Sequence, residues 1–368
     1  MIKLSLPDID NEELKEIKDV LDSKWLTYGQ KAKEFERKFS EFIGTKYAFA
    51  VNSGTAALQL AIQAQGLKGE IIMPSFTFTA SANAVLNAGC VPVFCDIDYE
   101  SCNLDPNKIK ELITDKTAAI LPVHFAGQSC MMEEICEIAE KYNLKVIEDS
   151  AEAIGAEYNG RKTGSFGTGC FSFYPSKNMT TGEGGMITTN NEELINNAKI
   201  IAFNGIDKNK RTKDWERIGA LPGYNFNLSD ILAAVGLAQL KKIGRMNESR
   251  RKIANYLNKN LDSEFLKVPF EYKGCKHVYQ MYVIKVEGGK LDRDKFIKKM
   301  IEEGIEAYVH FPALHKMEYL GKYQTTDLTV TEKVSSSVVS LPMHPKLSKE
   351  ELDRIIDKVN VAVGHARI

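Results

Sequence analysis

Between residues 46 and 201 the chain alternates two patterns. Short, nearly continuous apolar runs occur at YAFAV (47–51), EIIMP (70–74), VPVFCD (91–96), AAILPV (118–123), LKVIED (144–149) and GCFSFY (169–174). Between them lie TAALQLAIQAQ, SANAVLNAG, DPNKIKELI and MEEICEIAEKY, which read as helices. An apolar run too short for a helix and without polar alternation predicts a strand covered on both faces. Strand–helix alternation at this spacing predicts a parallel α/β sheet. Residues 229–261 read as a long helix with a break near Gly244. After Pro269 the character changes. HVYQMYVIKV (277–286) alternates like a half-exposed strand, and a helix (292–303), a strand (305–311) and a C-terminal helix (349–362) follow. The pattern predicts a large α/β domain over 1–245, with a helical segment at its start, and a smaller α+β domain over 246–368.

Composition narrows the function classes. Of 368 residues, 43% are hydrophobic and 26% charged, an ordinary soluble balance with ample length for a large core. Lys and Arg number 48 against 49 Asp and Glu, so there is no basic excess of the kind that nucleic-acid binders carry. The most basic stretch, KNKRTK at 208–213, reads as a solvated loop. No apolar run approaches the roughly 18 residues of a membrane helix, and the first residues lack the apolar core of a signal peptide. Seven scattered cysteines without a CxxC motif predict reduced thiols and a cytoplasmic location. Six histidines without a His/Cys cluster predict no metal site.

In open α/β sheets ligands sit at the carboxyl ends of the strands, so the residues after each run matter most. After YAFAV come Asn52, Ser53, Gly54 and Thr55, a small-residue turn into a helix. Alone this is an ordinary cap; its free N–H groups and positive dipole end also suit a phosphate. After EIIMP comes Phe78, core packing if taken alone, or a plate for a flat ring. After LKVIE come Asp149 and Glu152, carboxylates that are costly to bury without a cationic partner. After GCFSFYPS comes Lys177, followed by the turn TTGEGG, whose glycines allow close backbone approach. A phosphate cradle, an aromatic plate, a carboxylate and an amine on neighbouring strand ends are the contacts that pyridoxal 5′-phosphate requires.

The same stretches carry a resemblance over nearly the whole chain. WLTYGQKAKEFERKFSEFIG, NSGTAALQLA, MPSFTFTASANAV, LPVHFAGQ, VIEDSAEAIGAEYNGRKTGSFG, FSFYPSKNMTTGEGG, GYNFNLSDILAAVGLAQL, HVYQMYVI and SLPMHPKLS occur in the order seen in the DegT/DnrJ/EryC1/StrS family, which the chain resembles. The resemblance implies the aspartate aminotransferase-like fold (fold type I of pyridoxal-phosphate enzymes). It implies an aminotransferase that takes its amino group from glutamate. The acceptor it implies is a ketone, foremost a nucleotide-linked 4-keto-6-deoxysugar, as in perosamine formation. A 3-keto sugar nucleotide, an inosose or a small phosphorylated ketone are the alternatives, and a non-catalytic pyridoxal-phosphate regulator is the rival from outside the enzymes.

By the same resemblance Lys177 binds the cofactor covalently and Asp149 pairs with its ring nitrogen. Glu152 lies near the ring hydroxyl, and Phe78 stacks on the ring. Gly54, Thr55 and Ser172 hold the phosphate, joined by Asn225 from the second chain of a homodimer with shared active sites. Tyr28, His310 and His315 fall where substrate contacts are found. Two positions depart from the pattern. Asn227 replaces an arginine that commonly holds an anionic ligand, and residues 202–205 read Ala-Phe-Asn-Gly where many members have Arg-Asn-His-Gly. A dehydrating branch of the family has histidine in place of the lysine; Lys177 favours transamination.

Overall fold

A computed structural model describes residues 1–261, 264–286, 289–323 and 327–367. Seven strands form the main sheet: β1 (Tyr47–Val51), β2 (Glu70–Pro74), β3 (Val91–Cys95), β4 (Thr117–Ile120), β5 (Lys145–Asp149), β6 (Thr168–Ser172) and β7 (Gly185–Thr189). Their order across the sheet is β1-β7-β6-β5-β4-β2-β3. The six predicted strands all run one way, each beginning or ending within a few residues of its apolar run. β7 was not predicted. It is antiparallel to both β1 and β6 and buried along its whole length. Its sequence, GMITT, is short and half polar and follows a glycine turn, so no apolar run announces it. The predicted run 169–174 pairs only to Ser172, where the chain leaves the sheet toward Lys177.

Helices cover both faces, so the strands need no polar alternation. Helix α1 (Asn11–Ser23) opens with a capping box between Asp10 and Glu13. Helix α2 (Gln30–Ile43) begins at Gly29, which has no capping side chain. Its cap is supplied from far along the chain. The buried carboxylate of Asp230 accepts the N–H groups of Gly29 (2.7 Å), Ala32 (3.0 Å) and Lys31 (3.2 Å). Helices α3 (Gly54–Ala64) and α4 (Thr79–Asn87) begin at the ends of β1 and β2, at the edge where the site lies.

The long helix α5 (Asp230–Leu261) runs unbroken through Gly244, against the expected interruption. Gly244 is exposed and a side chain there would meet open space, so it costs the helix only its propensity deficit of about 1 kcal/mol, which the buried face of α5 outweighs. Leu237, Ile243 and Met246 of this helix pack in a core with the main sheet, whereas Ile253, Ala254, Leu257 and Leu261 pack in a second core. That second core belongs to a smaller antiparallel sheet of β8 (Leu266–Lys267), β9 (Tyr282–Val286) and β10 (Val338–Leu341), backed by α6 (Arg293–Glu302) and α7 (Lys349–Ala366). The first residues join it too: Ile2 packs there, and its N–H donates to Gly304 O. The expected strand at 305–311 is not a regular strand. It makes isolated bridges only, Ile305 to Ile2 and Tyr308 to Ser340, because its last residues turn aside to wall the cavity described below.

Because one remote carboxylate caps α2, Asp230→Ala should lower stability by about 1–2 kcal/mol. It leaves three N–H groups without their acceptor. Urea unfolding of the variant should show a lower midpoint; an unchanged midpoint would mean that solvent satisfies the helix start equally well.

Candidate active site

The site is assembled where β1, β5 and β6 end. Ser53 caps α3, its Oγ accepting the Ala56 N–H at 3.1 Å. The N–H groups of Gly54 and Thr55 fall in the first turn, where no intrahelical acceptor exists, and both residues wall a cavity of about 970 Å³. Two glycines set how near this helix start comes to the sheet. A Cβ on Gly54 would lie 2.8 Å from Ser172 Cβ, and one on Gly185 would lie 2.3 Å from Ser53 O. Ser172 is thereby held beside the helix N-terminus.

From Ser172 the chain turns tightly, with the Lys177 N–H donating to Tyr174 O at 2.9 Å. Lys177 Nζ lies 3.5 Å from Glu152 Oε1. The other oxygen of Glu152 accepts the Ala126 N–H at 2.9 Å, which fixes the carboxylate. Gln280 Nε2 donates to Ser176 O at 2.8 Å, tying the start of the small sheet to the lysine turn.

Asp149 ends β5 with only 5% of its surface exposed. It accepts the Ser81 hydroxyl at 2.7 Å and the Ala151 N–H at 3.2 Å, and no cation lies within ion-pair distance of it among the described residues. Burial pushes its carboxyl above the usual range, Ser81 and Ala151 pull it back, and the Glu152 charge adds to the rise. The cavity wall holds Asp149, Glu152 and Glu183 against Lys177 alone. Such a site favours a bound cation next to Asp149.

Phe78 is 59% exposed on the cavity wall, its ring 5.9 Å from that of Phe311. Across the cavity stand Tyr308 and His310 of the small unit. His310 Nδ1 is 2.8 Å from Ser340 Oγ, and burial first, then the Lys177 charge, hold its pKa down to about 4, so the ring is neutral at pH 7.

Gly54, Thr55, Phe78, Asp149, Glu152, Ser172, Lys177 and His310 therefore share one cavity. Three sequence candidates lie elsewhere within the chain. Tyr28 donates its hydroxyl to buried Glu36 at 3.0 Å. His315 bonds Ser75 Oγ through Nδ1 (2.8 Å) and Glu332 through Nε2 (3.1 Å). Asn225 is exposed, its Oδ1 accepting from Asn227 at 2.6 Å and its carbonyl from Asn52 at 3.3 Å. Sequence reading missed Ser81 and Gln280. Ser81 sits in the run of small polar residues after β2, a signal present but shared with any helix start. Gln280 comes from a distant segment, and nothing local marks it.

The residues present fit pyridoxal 5′-phosphate. The chain offers free N–H groups at a helix start for its phosphate, an exposed ring, an amine, and a buried carboxylate without a cation for a protonated ring nitrogen. This fold, with such a set at its strand ends, is that of the pyridoxal-phosphate aminotransferases. The chain belongs to the DegT/DnrJ/EryC1/StrS aminotransferase family, whose model it matches over residues 7–360. It is 38% identical to the spore coat polysaccharide biosynthesis protein SpsC of Bacillus subtilis, over 98% of this chain and 97% of that one. It is 38% identical to the GDP-perosamine synthase of Caulobacter vibrioides, over 96% of each. Among solved structures, the sugar aminotransferase-type protein Spr1654 of Streptococcus pneumoniae, in its PMP form, superposes with a TM-score of 0.94 at 29% identity, over 99% of both chains. The protein is an aminotransferase.

The charge on Asp149 gives a stability prediction. A carboxyl raised in the folded state is penalised when ionised, so the penalty is present at neutral pH and absent below the ordinary aspartate range. Asparagine keeps both contacts, accepting from Ala151 and donating to Ser81 Oγ. Thermal unfolding of the cofactor-free protein should therefore show Asp149→Asn more stable than wild type at pH 7, the gain shrinking as pH falls toward 4. With cofactor bound the order should reverse. A variant less stable than wild type in the cofactor-free state at pH 7 refutes the argument.

Proposed function

We propose that this aminotransferase moves an amino group from glutamate to a nucleotide-linked 4-keto-6-deoxysugar, with pyridoxal phosphate as cofactor. The observation that carries the chemistry is the meeting of Lys177, Glu152 and the cationless Asp149 in one cavity. The similarity to a GDP-perosamine synthase supports the acceptor class. When bound, the cofactor supplies an electron sink for the carbon that loses its proton.

The chain's own residues do the rest. Asp149 would hold a proton on the ring nitrogen, and Ser81, bonded to it, orients that carboxylate. Gly54, Thr55 and Ser172 would hold the phosphate, and Phe78 would cover one face of the ring. Lys177 Nζ would be the base that carries a proton from the donor's amino-bearing carbon to the cofactor's C4′ carbon, and in the opposite direction when the acceptor's carbon receives the amino group. Glu152, bonded to the Ala126 N–H, keeps the amine aimed into the cavity and would stand near the ring hydroxyl. His310, neutral and oriented by Ser340, offers a hydrogen bond to an acceptor hydroxyl.

The acceptor is tested by incubating the holoenzyme with glutamate and a panel of ketones: 4-keto and 3-keto sugar nucleotides, an inosose and small ketone phosphates. A 4-keto-6-deoxy sugar nucleotide should give the fastest 2-oxoglutarate formation, and Lys177→Ala should abolish it. Turnover of only a non-nucleotide ketone would replace this reading with the small-ketone alternative. No turnover of any ketone with bound cofactor would favour a regulator.

We also place Asn225 at the cofactor phosphate of a second chain, in a two-fold dimer with shared sites. The support is its position outside its own cavity, exposed on a turn beside Asn52. Lys177→Ala and Asn225→Ala chains, unfolded and refolded together, should form about half hybrid dimers. Each hybrid has one site with both residues intact, so roughly a quarter of all sites should recover. Activity no higher than the sum of the two variants refolded separately, with Asn225→Ala itself clearly impaired, would place Asn225 in its own chain's site.

A further inference from the structure

Lys177 belongs to a closed circuit of contacts that runs through a segment far from it in the chain. The circuit starts at the amine. Lys177 Nζ lies 3.5 Å from Glu152 Oε1, and the other oxygen of Glu152 accepts the Ala126 N–H at 2.9 Å. Ala126 O in turn accepts the Met281 N–H at 3.3 Å, and the next carbonyl, Gly127 O, accepts the Val278 N–H at 2.9 Å. The two stretches run so close that a Cβ on Gly127 would lie 2.9 Å from the backbone nitrogen of Gln280. Gln280 closes the circuit, its Nε2 donating at 2.8 Å to the carbonyl of Ser176, the residue just before Lys177.

The residue after the lysine is tied to the same segment. Asn178 Nδ2 donates to Val278 O (3.2 Å) and to Asn247 Oδ1 (2.7 Å). Asn247 lies on α5, and its own amide is committed to Ile154 O at 2.9 Å. One turn further along this helix, Arg250 Nη1 donates to Gln280 O (3.3 Å) and Met343 O (2.8 Å). The main chain on both sides of Lys177 is thus registered to residues 278–281, and those residues to the long helix.

Fold stability is a poor reason for these amides. Ser176 O and Val278 O can only accept, so the amide nitrogens face them and the amide oxygens face away. Gln280 Oε1 and Asn178 Oδ1 are buried without a protein partner. An apolar side chain of similar size would avoid desolvating that oxygen. What only the amide supplies is the tie to the lysine turn.

We propose that Gln280 is a positioning residue for Lys177. It fixes the turn so that the amine meets the cofactor's aldehyde carbon in one orientation, with Glu152 held in register through the same segment. The proposal rests on the reading of Lys177 as the cofactor's lysine. In forming that bond the unprotonated amine adds to the aldehyde carbon, and the aldehyde oxygen leaves as water with both amine hydrogens. A loosened turn lets the amine miss, and a small displacement of a reacting group lowers a rate more than it lowers ground-state affinity.

The test adds pyridoxal phosphate to the cofactor-free protein and follows the yellow colour that forms on Lys177. Gln280→Met keeps the volume and removes the donor. It should load about tenfold or more slowly than wild type. Once loaded, its single turnover with glutamate should also be slower, with the glutamate concentration for half-maximal rate unchanged. Its unfolding midpoint without cofactor should stay near that of wild type, because losing the buried oxygen offsets losing the bond. Gln280→His offers a ring N–H at similar reach and should restore much of the loading rate. Wild-type loading by Gln280→Met, or no restoration by Gln280→His, overturns the proposal. Slower loading in step with a lowered unfolding midpoint overturns it too, making Gln280 a packing residue only. A raised half-maximal glutamate concentration makes it a substrate contact instead. If Lys177→Ala colours as wild type does, the reading of the lysine itself fails, and the positioning role with it.

Discussion

The close approach of three stretches of backbone, without room for a single Cβ, governs the rest of this structure. Gly185 passes Ser53 O and Gly54 passes Ser172, so the start of helix α3 is held against the ends of β6 and β7. A methyl group at either glycine would have to displace backbone or a side chain packed beside it. Everything chemical follows from this contact. The helix start brings its unpaired N–H groups to the cavity, and β6 delivers Lys177 five residues beyond Ser172 to the same place. The antiparallel β7 lets the chain return beneath the lysine turn and still pair on both sides.

Against this fixed floor the charges are deliberately unbalanced. Asp149 is buried with a hydroxyl and an amide for company but no cation, and it stands near Glu152. Such an arrangement is unfavourable for the isolated chain and favourable once a cationic ring nitrogen is present. On the proposed role, part of the stability that Asp149 costs the cofactor-free chain would be recovered when a protonated ring nitrogen binds beside it. Glu152 and Lys177 form a second, compensated pair, so the electrostatic demand is concentrated on one atom position.

The other wall comes from a different core. Helix α5 enters both cores, packing Leu237 and Met246 on one side and Leu257 and Leu261 on the other. It thus sets where the small sheet sits relative to the large one. Gln280 then bonds to Ser176 O, and Tyr308 and His310 face the cavity from segment 305–311. That segment gives up regular strand pairing to do so, keeping Ile305 in the small core while its later residues wall the site.

How much was legible along the chain depends on how local each cause is. Buried strands announce themselves by continuous apolar residues, so six strands of the large sheet, its parallel character and the strand-end positions of Gly54, Phe78, Asp149 and Lys177 could be read directly. β7 could not, because its burial comes from being flanked by β1 and β6 rather than from its own composition. Gly244 looked like a break because glycine weakens a helix locally; packing on two cores, which no window of sequence contains, outweighed it. The cap of α2 by Asp230 and the contacts of Ser81 and Gln280 with the site join residues far apart in the chain. By itself, then, the sequence determined the class of fold and the residues able to do chemistry, since both rest on periodicity and side-chain type. Only the tertiary structure decided which of those residues share a cavity, leaving Tyr28, His315 and Asn225 outside it, because proximity depends on backbone packing between distant segments.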